Sequence, residues 1–219
     1  MSEVLRVQLE AGIAALKLDL APAQVDALMA FLDLLQKWNK VYNLTSVRDP
    51  QEMLTHHLLD SLAAVPALLR HALTLPVEEG ARLPLLDVGS GGGLPGVVFA
   101  ICCPQIDVSC VDTVGKKAAF IQQAAASLRL PNLHGIHNRV ENLKTSYPVI
   151  SCRAFASLAD FTAWSRKALA QDGIWFAMKG KHPDEEMAAL PADVQVFHVE
   201  PLQVPGLDAE RCVVWMKMG

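Results

Sequence analysis

The sequence predicts an α/β fold: a mostly parallel, Rossmann-like sheet with an antiparallel hairpin at one edge, preceded by a helical extension. Three observations predict it. Residues 3–71 carry helical apolar periodicity with no strand-like alternation of any length. From residue 83 onward, short apolar runs alternate with helical patterns. A glycine-rich turn follows directly on the first of those runs.

The helical region comes first. Leu5, Leu9, Ile13 and Leu16 recur at helical steps and make one apolar stripe. Val25, Leu28, Met29, Leu32 and Leu35 make a second, after an Ala21-Pro22 start signal. Leu54, Leu58, Leu62, Val65 and Leu69 make a third. Residues 1–75 are therefore expected as an N-terminal helical part, 76–84 as a linker and 83–219 as the main domain.

In the main domain, residues 85–88 read as a short buried strand, with a helix from about Pro95. Residues 107–111 form a second strand, followed by a helix over 116–130 that turns Ala118, Ile121, Ala125 and Leu128 inward. Weaker strands fall at 133–137 and 149–152. Ser157-Leu158-Ala159-Asp160 has the form of a capping box and opens a helix with Phe161, Trp164 and Ala168 inward. Asp172-Gly173 turns into a strong strand at 174–178. Residues 194–199 and 212–216 close the chain with too little between them for a helix, hence the edge hairpin. Alternating strands and helices imply a parallel sheet covered on both faces.

Composition narrows the function class. The chain has 219 residues, 52% hydrophobic and 19% charged, enough for a packed core. Its longest apolar run, 94–103, is too short to span a bilayer, and the N-terminus lacks a signal-peptide layout. These features predict a cytoplasmic protein with no membrane partner. The five cysteines form no Cys-x-x-Cys pair, which fits reduced thiols better than a disulfide or zinc site. His56 and His57 are adjacent on a helix and diverge, so no metal site is expected. A net charge of −4 argues against gripping naked nucleic acid by charge alone.

The turn Gly89-Ser90-Gly91-Gly92-Gly93 follows Asp87-Val88, where ligands bind in an open parallel sheet. It admits two readings. Gly91, Gly93 and Gly96 match a dinucleotide fingerprint literally, but three residues past the strand end and with Pro95 inside. Gly89, Gly91 and Gly93 match the G-x-G-x-G turn of S-adenosylmethionine enzymes, starting at the strand end after Asp87. The register favours the second. Asp112, at the end of the next strand, is placed to accept hydrogen bonds from ribose hydroxyls.

Several segments carry a more specific likeness. They are Trp38-Asn39-Lys40-Val41-Tyr42-Asn43-Leu44-Thr45, His57-Leu58-Leu59-Asp60-Ser61-Leu62, the turn from Leu86 through Gly96, Arg139-Val140-Glu141, Arg153-Ala154-Phe155-Ala156-Ser157-Leu158 and Met178-Lys179-Gly180. On these the chain resembles the RsmG (GidB) family, methyltransferases of guanine N7 in 16S ribosomal RNA. The first two segments are the most telling, because they lie outside the cofactor fold. The resemblance implies a class I methyltransferase sheet and S-adenosyl-L-methionine as cofactor. It implies a cofactor site using Gly89, Gly91, Leu94, Asp112, Val140, Glu141 and Arg153. Its partner would be 16S ribosomal RNA or the small ribosomal subunit, and the protein is expected to act as a monomer. The family usually has Ser-Arg-Ala where this chain has Cys152-Arg153-Ala154, and often an acidic residue at Pro148.

Guanine N7 has a free lone pair, so methyl transfer to it needs alignment and water exclusion, with no general base. Arg153 and Lys179, both at strand carboxyl ends, are the candidate catalytic residues, holding guanine O6 or a phosphate. Lys37, Lys40, Arg48, Lys181 and His182 are further candidates for RNA contact. Trp38 and Tyr42, four apart on a helix, either stack on bases or pack the helical part onto the main domain, and packing is favoured.

Overall fold

The computed structural model describes residues 2–72, 74–78 and 80–219. Met1, Leu73 and Glu79, which fall within the expected helical part and linker, lie outside the described residues. The chain runs α1 (Ser2–Ala15), α2 (Pro22–Tyr42), α3 (Pro50–Met53), a π-helical turn (Leu54–Leu59), α4 (Asp60–Ala63) and α5 (Val65–Ala72). Then come β1 (Leu83–Val88), α6 (Gly96–Cys102), β2 (Ile106–Asp112), α7 (Gly115–Ser127), β3 (Leu133–His137) and β4 (Tyr147–Arg153). The chain closes with α8 (Leu158–Ser165), β5 (Leu169–Lys179), α9 (Asp184–Ala188), β6 (Val194–Leu202) and β7 (Arg211–Met218). The seven strands form one sheet in the order β3-β2-β1-β4-β5-β7-β6. The first five are parallel to one another, and β7 pairs antiparallel with both β5 and β6, giving the expected edge hairpin.

Side chains alternate across each strand and so feed two apolar layers. Leu85, Val108, Val149, Ile174, Phe176 and Val213 join one layer with α1, α2, the π turn, α5 and α6. Leu86, Val111, Ile150, Trp175, Ala177 and Val214 join the other, with Leu158 and Phe161 of α8. The N-terminal helices thus cover the same face of the sheet as α6 and α7. Their predicted stripes are the buried ones: Leu5, Leu9 and Ile13, then Val25, Leu28, Met29, Leu32 and Leu35. Trp38 packs on Phe120 of α7 at 5.4 Å and on Tyr42 at 5.0 Å. The Gln24 side chain closes the start of α2 by accepting from Ala21 N, and donates to the Ile101 and Cys102 carbonyls at the end of α6.

Three expectations need adjustment. The inward face of α7 includes Phe120, fully buried, whereas Ala125 and Leu128 are half-buried, because the helix ends at Ser127. Trp164 does not face inward. The buried face of α8 is Leu158, Phe161, Thr162 and Ser165, and Trp164 lies off that face and is 42% exposed. The strand expected at 174–178 extends over 169–179, with a register shift opposite Pro148. Proline has no N–H to give to the ladder there.

Two buried polar groups tie the layers together. Asp87 is fully buried at the end of β1; it accepts from Gly96 N at 3.0 Å and from Ser151 Oγ of β4 at 2.9 Å. A Cβ on Gly96 would meet Cys110 Sγ at 2.3 Å and Asp87 Oδ2 at 2.9 Å, so only glycine lets α6 approach this closely. His57 in the π turn bonds Thr45 Oγ1 at 2.8 Å, while Asn39 accepts from Thr45 N and donates to the Val47 carbonyl. All five cysteines are free and buried, and burial pushes the Cys103 thiol up to about 12.

Burial pushes the Asp87 carboxyl up to about 7 against the donation from Ser151 and Gly96. Burial, and then the charge of Arg153, push His57 down to about 4. A raised acid pKa contributes stability below the unfolded value of about 4, and that contribution is lost as pH rises through about 7. A lowered histidine pKa contributes stability above about 6.5, and that is lost as pH falls through about 4. The two slopes oppose each other in the native protein. In urea denaturation across this range, Asp87→Asn is expected to gain on the native protein as pH rises, and His57→Gln to gain on it as pH falls. Parallel profiles for all three proteins would contradict this assignment.

Candidate active site

The carboxyl ends of β1, β2 and β4 open onto a cavity of about 660 Å³. Gly89, Asp112, Val140, Glu141, Phe155 and Trp164 are among its lining residues. Gly89 has φ +65°, and a Cβ there would meet the Phe155 ring at 2.1 Å, so the floor of the cavity is a bare backbone facing an aromatic side chain. Asp112 ends β2 with its carboxylate 7% exposed. One oxygen accepts from Gly91 N at 3.0 Å and the other from Val114 N at 2.8 Å. Each oxygen keeps a further lone pair for a ligand hydroxyl. Val140 and Glu141 open a 3-10 turn beyond β3. Val140 is buried and presents an apolar wall, while Glu141 bonds Arg139 at 3.0 Å. Donation from its own backbone N–H and from Arg139 holds the Glu141 carboxyl below its ordinary value.

Four of the residues expected from sequence, Gly89, Asp112, Val140 and Glu141, therefore line one cavity, and Gly91 is hydrogen-bonded to one of them. Leu94 is not among the lining residues: its side chain is buried in the layer shared with the N-terminal helices. The amide at the start of α6 is not free for a ligand either, since Gly96 N donates to Asp87. Gly96 packs closely against Cys110 of β2. The sequence reading missed Phe155 and Trp164 as cavity walls. Trp164 carried a helical signal but was assigned to the wrong face.

Arg153 and Lys179 lie elsewhere. Both line a second cavity of about 360 Å³ with His56, His57, Asp60 and Arg211. Ala154, at φ +50°, lines both cavities and stands between them. Arg153 Nη1 donates to Asp60 Oδ2 at 2.7 Å and to the His56 carbonyl at 3.0 Å. Lys179 Nζ donates to Glu186 Oε2 at 2.7 Å and to the Ala156 carbonyl at 3.0 Å, and Glu186 also accepts from Leu158 N. Lys179 is thereby built into the 154–158 loop. Lys37, Lys40, Arg48, Lys181 and His182 are exposed. Among the described residues there is no group of histidine, cysteine and carboxylate side chains that could hold a metal, and no helix is long and apolar enough to cross a membrane.

This geometry has relatives. Among solved structures the fold is shared with TrmN from Thermus thermophilus, at a TM-score of 0.54 and 19% identity, covering 76% of this chain and 53% of that one. It is also shared with coclaurine N-methyltransferase bound to N-methylheliamine and SAH, at a TM-score of 0.56 and 12% identity, covering 92% and 74%. The sequence likeness is far stronger. The ribosomal RNA small subunit methyltransferase G of Acidovorax sp. (strain JS42) is 71% identical over 211 residues, 95% of this chain and 93% of its own. The protein of the same description in Paracidovorax citrulli (strain AAC00-1) is 66% identical over 221 residues, 99% of this chain and 91% of its own. A family model, GidB, rRNA small subunit methyltransferase G, matches residues 24–214, from the start of the long helix α2 to the last strand. A match that takes in the helical layer as well as the sheet leaves one conclusion: this chain belongs to the GidB family, rRNA small subunit methyltransferase G.

Proposed function

We propose that this chain transfers a methyl group from S-adenosylmethionine to N7 of a guanine in 16S ribosomal RNA. The observation that carries this reading is the extension of the family match through helices α2 to α5, which a generic cofactor fold does not require. The first cavity suits the cofactor chemically. Asp112 offers acceptors for ribose hydroxyls, Val140 an apolar face for adenine, and Gly89 the backbone at the cavity floor. Gly91 supports Asp112 through its amide, Glu141 adds acceptor capacity at the rim, and Leu94 acts by anchoring the turn in the core.

The bound cofactor supplies a methyl carbon made electrophilic by a sulfonium. The protein contributes position and dryness. Phe155 and Trp164, with rings 5.7 Å apart, wall the cavity with apolar surface. N7 attacks with its own lone pair, so nothing in the site has to remove a proton first. Arg153, on the far side of Ala154, is the donor for guanine O6 or a phosphate. Lys179 shapes the 154–158 loop through Ala156 and Glu186. The net charge of −4 is offset locally, because Arg153, Lys179 and Arg211 share the second cavity. The substrate is ribosomal RNA or the small subunit, met in the cytoplasm by a monomer.

Two measurements check the proposal. Asp112→Ala is expected to weaken S-adenosylmethionine binding by about tenfold or more in isothermal titration, the scale of a hydrogen bond to a charged group. Unchanged affinity would remove Asp112 from the cofactor site. In cells lacking the protein, one N7-methylguanine is expected to disappear from 16S ribosomal RNA and to return with the gene. An unchanged methylation map would sink the assignment.

A further inference from the structure

The second cavity holds one carboxylate, Asp60, for which the proposed reaction gives no role. Asp60 is 5% exposed and bridges two arginines from distant strands. Its Oδ2 accepts from Arg153 Nη1 at the end of β4, and its Oδ1 from Arg211 Nε at the start of β7, both at 2.7 Å. Arg153 spends Nη1 on Asp60 and the His56 carbonyl, and Arg211 spends Nη1 on the Glu210 carbonyl. Among the described residues, Nε and Nη2 of Arg153 and Nη2 of Arg211 have no protein acceptor. A guanidinium has five N–H donors in a rigid plane, so fixing one edge aims the other.

The physics is that of a clamp. Two guanidinium groups held side by side repel, and a carboxylate between them removes that cost. One negative charge against two positive charges still leaves a net cation in the cavity. Such a triad is a poor source of stability, because desolvation offsets most of the Coulomb gain, but it fixes geometry. The element that delivers Asp60 is unusual as well. It follows directly on the π-helical turn Leu54–Leu59, and single π turns concentrate at functional sites.

We propose that Asp60 is a positioning residue for methyl transfer: it aims the free donors of Arg153 and Arg211 at an acceptor oxygen of the target nucleotide. That oxygen is guanine O6 or a neighbouring phosphate, next to the cofactor cavity across Ala154. The inference rests on the RNA methyltransferase reading above. Asp60 touches neither cofactor nor nucleotide. It gives the N-terminal helical layer a direct hold on the acceptor side of the sheet.

The test compares full-length native protein with Asp60→Asn and Asp60→Glu on small ribosomal subunits or their RNA. Native methylation in the same assay establishes the underlying activity, and its absence would defeat the function itself, not this inference. Asp60→Asn is expected to lower kcat/KM for RNA by about tenfold or more, with S-adenosylmethionine affinity by titration within about twofold of native. Asp60→Glu keeps the charge, and with it the fold, but displaces both arginines by a methylene. It is expected to lose about tenfold at unchanged melting temperature and cofactor affinity. In an Arg153→Gln, Arg211→Gln background, adding Asp60→Asn should cost nothing further, since the groups it aims are gone. The slope of RNA affinity against salt separates the two oxygens. A fall of about 0.7 in Asp60→Asn marks a phosphate, and an unchanged slope marks O6. Native methylation by Asp60→Glu, or a loss that follows cofactor affinity, would overturn the proposal.

Discussion

The carboxylate of Asp87 is the joint on which the rest of this structure depends. It sits at the last turn of β1 with no solvent contact, holding the first amide of α6 on one side and Ser151 of β4 on the other. Those two bonds fix the path of the glycine turn between them. The turn in turn brings Gly91 within reach of Asp112 on β2. A buried carboxylate is costly unless its oxygens are satisfied. Here each has a donor, and Gly96 is needed because any side chain would strike Cys110 and Asp87 itself. The first cavity is therefore a consequence of how three strands and one short helix are locked at one point.

From that joint the two faces of the sheet take on different duties. One face is packed with α8, whose Trp164 escapes the core by one helical step and becomes a wall of the first cavity. The other is covered by α6, α7 and the N-terminal helices, and Trp38 on Phe120 is one of the contacts that hold this layer down. The second cavity opens where the helical layer meets the ends of β4, β5 and β7. The two cavities share Ala154, so they lie on either side of one strand end.

Much of this was legible in the sequence, for a physical reason. Gly89, Asp112, Val140 and Glu141 each lie at the end of a strand or within four residues after it, and in a parallel sheet strand ends converge whatever the intervening chain does. Local apolar periodicity likewise revealed the stripes of α1 and α2. What failed to show was anything decided by three-dimensional register. Trp164 sits at helical spacing from Phe161, yet the buried face of α8 centres on Leu158 and Ser165 and leaves Trp164 outside it. Leu94 lies inside the glycine turn, yet its side chain completes the core. Arg153 ends β4, and its partner Asp60 lies 93 residues away in the chain. The pairing of Asp60 with Arg211 joins positions 151 apart, and no spacing rule reaches that far. The π turn before Asp60 reads in sequence as ordinary helix, because its leucines keep a tolerable helical period.

Two adjoining cavities are proposed to divide the work, one for S-adenosylmethionine and one for the acceptor nucleotide. A crystal structure of this chain with S-adenosylhomocysteine tests it most directly. Density is predicted against Asp112, Val140 and Trp164, with Asp60, Arg153 and Arg211 left untouched. Density in the cavity of Asp60, or none against Asp112, would contradict the account.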